Sequence, residues 1–473
     1  MRRRSPVTWT DAWRRPRHED GDGARARAAT APPDCHAERA AHLDSTAMTV
    51  GQWLGQARPA TDVDLLVSAV EPAVADRRTS RPLEVPGRRA TGPSRLDRWR
   101  QELAWPFLVY GSTRLALIVL AVVCDVAFGS VVPKLSISHE FGNWDGWWYI
   151  RVATLGYPTQ ISHAQTTLGF FPLYSMVMWL VSHLLMSSYV IGGLVVSLVG
   201  GLVATVLVQR LATDWWGPEV ARKAVLVFCL FPGSVVFTMD YSEGLLIPLV
   251  AGTMLALHHR RWLLAGVLAG LATGIGPDAL TVVAMCAAAS LVQFWRYGWR
   301  DSEARRSLVA PLLAPAGAVA FALFLKVWTG SFFASFIAQR DGWHESTSPL
   351  AIPNQLVGLA REVTSPAHLA AINLNNIVAL LGTAFLVVGL RWLWRDRRTL
   401  PVEVWVYVAA MTFLMVTSAH VPPNPRLLIT AFPVVLVFAK WVHGQAWRNL
   451  VYVTAASLIG LSALTFVGSV LRP

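Results

Sequence analysis

Long apolar runs, separated by short polar connections, fill the chain from about residue 105 onward. A helix needs roughly 20 predominantly apolar residues to cross a bilayer, and most of the runs approach that length. The runs cover residues 107–129, 168–186, 188–208, 222–239, 241–258, 262–276, 279–295, 309–328, 375–393, 401–418, 426–442 and 450–470. This pattern predicts an all-α, polytopic membrane protein.

Basic residues are concentrated in alternate connections between these runs. They lie in segments 210–223, 260–261, 296–306, 391–398 and 440–448. Cytoplasmic loops carry an excess of Lys and Arg, so these segments and the basic N-terminal region are expected on the cytoplasmic side. The protein is therefore predicted to be a multi-pass cell-membrane protein with a cytoplasmic N-terminus.

The same charge pattern limits the number of crossings. Three apolar runs lie between the N-terminal region and segment 210–223, although both ends are expected in the cytoplasm. One of the runs 168–186 and 188–208 should therefore not span the bilayer. We expect about 11 crossings, with the first loop outside the cell.

Residues 1–104 differ from the rest of the chain. They are rich in Arg, Ala, Pro, Asp and Gly and lack a sustained apolar period, which is typical of disorder. The predicted organisation is a disordered, basic cytoplasmic region, 1–104, followed by a polytopic membrane domain, 105–473.

Composition supports the membrane class. The chain is 54% hydrophobic and 15% charged, whereas soluble domains carry about 25% charged residues. The net charge of +12 is explained by Arg-rich cytoplasmic segments, and no basic-aromatic binding module is visible, so no nucleic-acid partner is expected. The four cysteines show no metal-ligand or paired spacing, which supports neither a zinc site nor a disulfide framework.

The connections assigned to the outer face carry the chain's motif-like polar residues. They are loop 130–167 with Asp145, turn 239–244 with Asp240 and Glu243, turn 276–278 with Asp278, loop 330–373, and segment 420–426 with Arg426. Separate polar turns that converge on one face indicate a single extracytoplasmic site.

The segment 143–149 combines one acidic residue, Asp145, with four large aromatic residues. Trp and Tyr favour the headgroup level of a membrane, where an unpaired carboxylate is costly. Other interpretations remain open. The aromatic residues can form an interfacial belt, Asp145 can cap a helix, and Asp240 and Glu243 can be ordinary turn carboxylates. Arg426 can extend to the headgroups or bind a lipid phosphate.

Three blocks in this order resemble a known family. Residues 144–149 (WDGWWY), followed by Ala153, Gly156 and Tyr157, resemble the "WD..WY…A..GY" signature of PIG-V-type mannosyltransferases. Residues 170–174 (FFPLY) are similar to its "FFPLYP" block. Residues 231–233 (FPG) and 241–243 (YSE) are similar to its "FP….YSES" block. The arrangement covers roughly residues 105–470, and the family belongs to the GT-C class of membrane glycosyltransferases.

The resemblance implies inverting α-mannosyl transfer from a polyprenyl-phosphate mannose donor to an extracytoplasmic glycan or glycolipid acceptor. The high Arg and Ala content is typical of a bacterial member. Asp145 is the expected catalytic base, and membrane lipids are the expected surroundings. The expected substrate-binding residues are Trp144, Trp148, Tyr149, Tyr241, Glu243, Asp278 and Arg426. No metal ligands or cofactor are predicted, although carboxylates of this kind can hold a divalent cation.

The chain departs from the family pattern at three places. Turn 276–278 has Gly before Pro277, where family members often carry Arg, and segment 424–427 replaces a Ser-Pro-Arg-Tyr-like sequence. Gly244 ends the block that reads "YSES" elsewhere. These changes concern the donor phosphate and the identity of the substrate, and they leave the first loop intact.

Two other functions remain in competition. A lipid or glycolipid transporter or flippase would share the membrane spans, and a non-catalytic subunit of a glycan-assembly complex would share the family blocks. Transporters often show internal repeats and ionisable residues near the bilayer centre. Here no convincing repeat is visible and the acidic residues lie in turns on one face, which favours the enzyme.

Overall fold

The helical prediction is confirmed in a computed structural model, which describes residues 95–129, 140–364, 374–419 and 421–468. Within these residues the regular elements are helices, and β pairing is limited to one isolated bridge between Thr347 and Ser418. The predicted disordered region lies outside the described residues up to residue 94, and its disorder stays a prediction.

The helices follow the apolar runs closely. The first nine are α1 (Arg95–Phe128), α2 (Asp145–Leu155), α3 (Pro172–Leu184), α4 (Tyr189–Trp216), α5 (Pro218–Leu230), α6 (Glu243–His258), α7 (Trp262–Ala272), α8 (Leu280–Tyr297) and α9 (Ser302–Ser307). The remainder are α10 (Val309–Leu313), α11 (Ala316–Thr329), α12 (Ala334–Gly342), α13 (Ala351–Thr364), α14 (Leu374–Arg395), α15 (Val402–Thr417), α16 (Pro425–Thr430), α17 (Phe432–Trp441) and α18 (Gly444–Gly468). Short 3₁₀ segments lie at Thr167–Gly169, Pro232–Thr238 and Pro277–Ala279.

Six helical segments of the described chain are long and apolar enough to cross a membrane. They are Glu102–Phe128, Tyr189–Trp216, Pro277–Tyr297, Ser302–Thr329, Leu374–Arg395 and Gly444–Val467. A seventh is possible if α5 and the 3₁₀ segment Pro232–Thr238, bent by 71°, form one broken span. Helices α6, α7, α15 and α17 are apolar but shorter. The multi-pass class is therefore clear, while the number of 11 crossings stays a prediction.

The two runs in conflict over the crossing number differ in length. Helix α4 has 28 residues and passes as a membrane span. Helix α3 has 13 residues and begins only at Pro172, so at 1.5 Å per residue it is about 20 Å long. The run 168–186 is therefore the one that is too short to cross as a straight helix.

Arg114 of α1 stabilises the bend after α5. Its guanidinium donates to the carbonyl oxygens of Cys229, at 3.0 Å, and of Ser234. It also donates to the hydroxyls of Ser234, at 2.9 Å, and Thr238, at 3.1 Å. A helix end leaves carbonyl groups without helical partners, and inside a membrane these need other donors. Arg114 supplies them, so its role is structural.

Glycine contacts bring α6 against α4. A Cβ atom at Gly200 would lie 1.9 Å from the carbonyl oxygen of Gly244, and one at Gly244 would lie 2.5 Å from the Cα of Ser197. Small residues allow such close approach between membrane helices. Gly244, which departs from the family block, thus helps to position Glu243 at the start of α6.

Candidate functional site

Three loops that are distant in the sequence meet at one guanidinium group. Arg426 Nη1 donates to Asp145 Oδ2 at 2.6 Å, and Arg426 Nε donates to Glu243 Oε1. Burial by itself lowers the pKa of Arg426, but the two nearby carboxylates outweigh this effect and raise the pKa well above its usual value. The guanidinium therefore stays charged. Charge-assisted bonds of this kind are stronger than neutral ones. We call Asp145, Glu243 and Arg426 the Arg426 cluster.

The backbone before Asp145 is strained. Trp144 has φ of 57°, a value that bulky residues rarely adopt, and it occupies the N-cap position of α2 without a capping side-chain bond. Such strain costs of order 1–3 kcal/mol and is concentrated at functional sites. Asp145 is the first residue of the helix and its carboxylate contacts Arg426. The alternative that Asp145 serves as the helix cap is therefore not the arrangement found.

Two tyrosines support the Arg426 cluster. The Arg426 guanidinium carbon lies 4.8 Å from the ring centroid of the buried Tyr241, a cation–π distance. Tyr149, also buried, donates to Ser242 Oγ at 2.7 Å and thereby ties α2 to turn 239–244. Burial, followed by the nearby Asp145 carboxylate, raises the pKa of both phenols, so they remain protonated donors.

The local sequence places Arg426 at the second position of α16. The Asn424 side chain accepts from the Leu427 backbone N–H at 2.8 Å, and Pro425 occupies the first turn. Both are favoured at a helix N-terminus. A Cβ atom at Gly233 would lie 1.9 Å from the Pro425 carbonyl oxygen, so this glycine lets α16 approach the 3₁₀ segment.

An aromatic wall lies beside the cluster. Trp148 stacks on Phe170, with ring centroids 5.7 Å apart, and meets Trp343 edge-on at 5.1 Å. Phe170 in turn packs edge-on against Tyr149 at 5.1 Å. Residues from the first two family blocks and from loop 330–373 therefore pack together, which holds α2 in place.

Asp278 is close to the cluster but does not join it directly. It interacts electrostatically with Glu243 and Arg426. Within the described residues, no hydrogen bond or ion pair joins Asp278 to either of them. Asp278 therefore contributes negative charge around Arg426.

The charged residues of loop 330–373 form separate contacts. Arg340 Nε donates to Asp341 Oδ1 at 2.6 Å, and His163 Nδ1 lies 2.8 Å from Asp341 Oδ2. Ser418 donates to Glu345 at 2.5 Å. These contacts tie this loop to the first loop and to the end of α15, so the polar connections do converge.

Asp240 is a buried carboxyl whose importance the sequence did not reveal. Neither of its oxygens has a hydrogen-bond partner among the described residues, and it is fully buried. A Cβ atom at Gly193 would lie 2.7 Å from Asp240 Oδ1, and one at Gly146 would lie 3.1 Å from its Cβ. Burial raises the pKa of Asp240 well above its usual range. The sequence showed Asp240 and Glu243 as similar turn carboxylates. Both are buried, but Glu243 pairs with Arg426, whereas neither oxygen of Asp240 has a hydrogen-bond partner among the described residues.

Replacing Asp240 by Asn should change how stability depends on pH. Because the folded-state pKa is raised, the stability associated with neutral Asp240 is fully present below its unfolded pKa and is lost as pH rises towards the folded value. The Asn variant lacks this titration. Its unfolding temperature should therefore increase relative to the native chain between about pH 5 and pH 8.

Thermal unfolding in detergent across this pH range measures the difference, with Glu219→Gln, an exposed carboxylate of α5, as the control. A difference between Asp240→Asn and the native chain that stays constant with pH would contradict the assignment.

No group of three or more His, Cys, Asp or Glu side chains in the described residues is arranged to hold a metal ion. The two carboxylates of the Arg426 cluster face an arginine.

The described residues therefore define a multi-pass, helical membrane protein whose separate loops build a cluster of acidic and basic side chains. Residues 112–329 match the family model described as Mannosyltransferase (PIG-V). The matched segment includes Asp145, Glu243 and Asp278, while Arg426 lies beyond it. The match confirms the predicted resemblance of this segment to PIG-V-type mannosyltransferases.

Two solved structures are similar to the chain. ArnT from Cupriavidus metallidurans bound to undecaprenyl phosphate has 13% identity and a TM-score of 0.44, over 72% of this chain and 61% of that one. The archaeal oligosaccharyltransferase AglB from Archaeoglobus fulgidus, in complex with an inhibitory peptide and a dolichol-phosphate, has 14% identity and a TM-score of 0.44, over 76% and 56%. The chain thus spans about three fifths of these proteins. A comparison with curated proteins gives no match.

Proposed function

We propose that the chain transfers a mannosyl residue from polyprenyl-phosphate mannose to an extracytoplasmic glycan or glycolipid, with inversion. The observation that carries this proposal is the contact of Arg426 with two carboxylates, Asp145 and Glu243, that both lie in the segment matching the PIG-V family model. The chemistry needs a base for the acceptor hydroxyl and a cation for the departing phosphate. The Arg426 cluster supplies both.

Asp145 is the better placed of the two carboxylates to act as the base. Its side chain is 30% exposed, whereas that of Glu243 is 4% exposed. An acceptor can therefore reach Asp145 more easily. Glu243 instead holds the guanidinium in position from the buried side.

Arg426 retains donors for a phosphate group. Its hydrogen bonds to Asp145 and Glu243 use two of the five guanidinium N–H groups. A phosphate that binds the others would share the positive charge with the carboxylates. The hydrogen bond from Arg426 to Asp145 would then weaken, which would leave the carboxylate free to accept the hydroxyl proton when the donor is in place.

In the proposed step, the acceptor oxygen attacks the anomeric carbon of mannose and forms the new glycosidic bond. The bond from that carbon to the phosphate oxygen breaks, and polyprenyl phosphate leaves with the electron pair. Asp145 takes the hydroxyl proton. In-line attack inverts a β-linked donor to an α product.

The excess of negative charge at the site is a reason to test separately whether transfer needs a divalent cation. Asp145 and Glu243 together outweigh the single charge of Arg426, and the donor phosphate adds more negative charge. Neutralisation by Mg²⁺ or Mn²⁺ would favour donor binding. Transfer that is lost with a chelator and restored by either ion would reveal this requirement.

The test is a membrane assay with radiolabelled polyprenyl-phosphate mannose and membranes that contain or lack the chain. Incorporation of label into glycan or glycolipid that requires the chain supports the enzyme. Translocation of lipid that is independent of the sugar would instead select the flippase. If the chain is needed only together with another subunit's active site, the non-catalytic function is selected.

A further inference from the structure

A long groove runs along α4, away from the Arg426 cluster. It has a volume of about 1240 Å³ and is bounded by α1, α3, α4, α6 and α7, with one end at α5. Its walls are mainly apolar and include Val203, Leu207, Leu249, Leu264 and Leu268. Pockets for small molecules usually have about 300–1,000 Å³, so this groove is large enough for longer apolar chains.

One end of the groove is ionic. Its charged lining residues are Arg210, Arg222, Arg261, Glu102, Asp214 and Glu219. Basic and acidic side chains are thus present in equal number. His259 Nε2 lies 3.5 Å from Asp214, and the Arg222 guanidinium carbon lies 5.9 Å from the Trp105 ring. A Trp beside charged residues is typical of the headgroup level of a bilayer.

This ionic end is far from the proposed catalytic site. Gly193 of α4 lies against Asp240, next to the Arg426 cluster. Arg210 is 17 residues further along the same continuous helix, a rise of about 26 Å. That distance is close to the roughly 30 Å thickness of the hydrocarbon core. The ionic end and the Arg426 cluster are therefore separated along α4 by nearly the thickness of the hydrocarbon core.

We propose that this groove binds one phospholipid with a zwitterionic headgroup that carries a phosphate and a primary ammonium. The phosphate pairs with the arginines and the ammonium with the carboxylates, while the acyl chains lie along α4 and α6. An anionic headgroup would meet as many carboxylates as arginines. A donor whose phosphate binds Arg426 could place only its apolar tail in the groove, and an apolar tail cannot pair with the charged residues of the ionic end.

The test is native mass spectrometry of the full chain, purified in detergent and mixed with equal amounts of phosphatidylethanolamine and phosphatidylglycerol. One phosphatidylethanolamine should be retained at least about threefold over phosphatidylglycerol. The combined variant Arg210→Ala, Arg222→Ala, Arg261→Ala should retain about tenfold less phosphatidylethanolamine than the native chain. Arg391→Ala, Arg397→Ala, Arg398→Ala removes the same charge elsewhere and should retain the lipid.

A second variant tests the apolar part of the groove without changing the headgroup site. Val203, on the groove wall, is 45% exposed, and Val203→Trp should fill the space and release the lipid. Equal retention of the two phospholipids, or full retention in both groove variants, would overturn the proposal. So would displacement of the lipid by an equal amount of undecaprenyl phosphate. The measurement does not use transfer activity, so its outcome is independent of the proposed function.

Discussion

Asp145→Asn is expected to reduce mannosyl transfer by about 10³-fold, while the chain remains folded in the membrane. The amide cannot accept the proton of the acceptor hydroxyl, and a positioned base contributes about 10²–10⁴-fold to such reactions. The amide oxygen can still accept the hydrogen bond from Arg426 Nη1, so the cluster keeps much of its geometry. Initial transfer rates in membranes, divided by the amount of chain present, measure the effect.

Asp341→Asn is the matched control for this prediction. Asp341 lies in loop 330–373, another of the polar connections assigned to the outer face. It pairs with Arg340 and His163, outside the Arg426 cluster. Ion pairs of this accessible kind contribute little to stability. The control should therefore transfer mannose at nearly the native rate. A rate for Asp145→Asn within tenfold of that control would remove Asp145 from the mechanism.

Arg426→Ala is expected to lower both the stability of the chain and the rate of transfer from the donor. It leaves the buried Glu243 beside Asp145 without their shared cation. Removal of one partner from a buried ion pair costs about 3–5 kcal/mol, because a charge remains buried and unpaired. Thermal unfolding should show a clear loss of stability, and membranes should show little transfer at ordinary donor concentrations.

Two further variants separate the structural effect from the effect on the donor. Arg426→Lys keeps the charge but not the planar fork, so it should restore much of the stability while the donor KM rises about tenfold or more. Arg426→Ala combined with Glu243→Gln removes the unpaired charge and should recover stability without recovering transfer. An unchanged donor KM in a stable Arg426→Lys chain would exclude contact with the phosphate.

Much of the architecture was predictable because hydropathy acts locally. A run such as 188–208 favours the bilayer through its own composition, whatever the rest of the chain does, and α4 confirms it. Charge in the connections predicted that Asp145, Glu243 and Arg426 would lie on one face. It did not predict their direct contact, because that depends on side-chain reach across separate helices.

The details of close packing were not predictable. Nothing in the sequence pairs Gly200 with Gly244, yet their contact determines where α6 begins relative to α4. The difference between Asp240 and Glu243 has the same origin. Only the elements that surround them give Glu243 an arginine partner and leave the oxygens of Asp240 without a hydrogen bond among the described residues. Arg114 likewise became structural only when the bend after α5 placed unpaired carbonyl groups around it.

The sequence by itself determined the membrane class, the helical content and the family blocks, including the acidic residue among the aromatics at 143–149. These features follow from composition and order along the chain, which are local properties. Only the tertiary structure decided that Arg426 bridges Asp145 and Glu243, because partners separated by 183 and 281 residues meet through the packing of many helices. That packing depends on shape and small-residue contacts that no single segment contains.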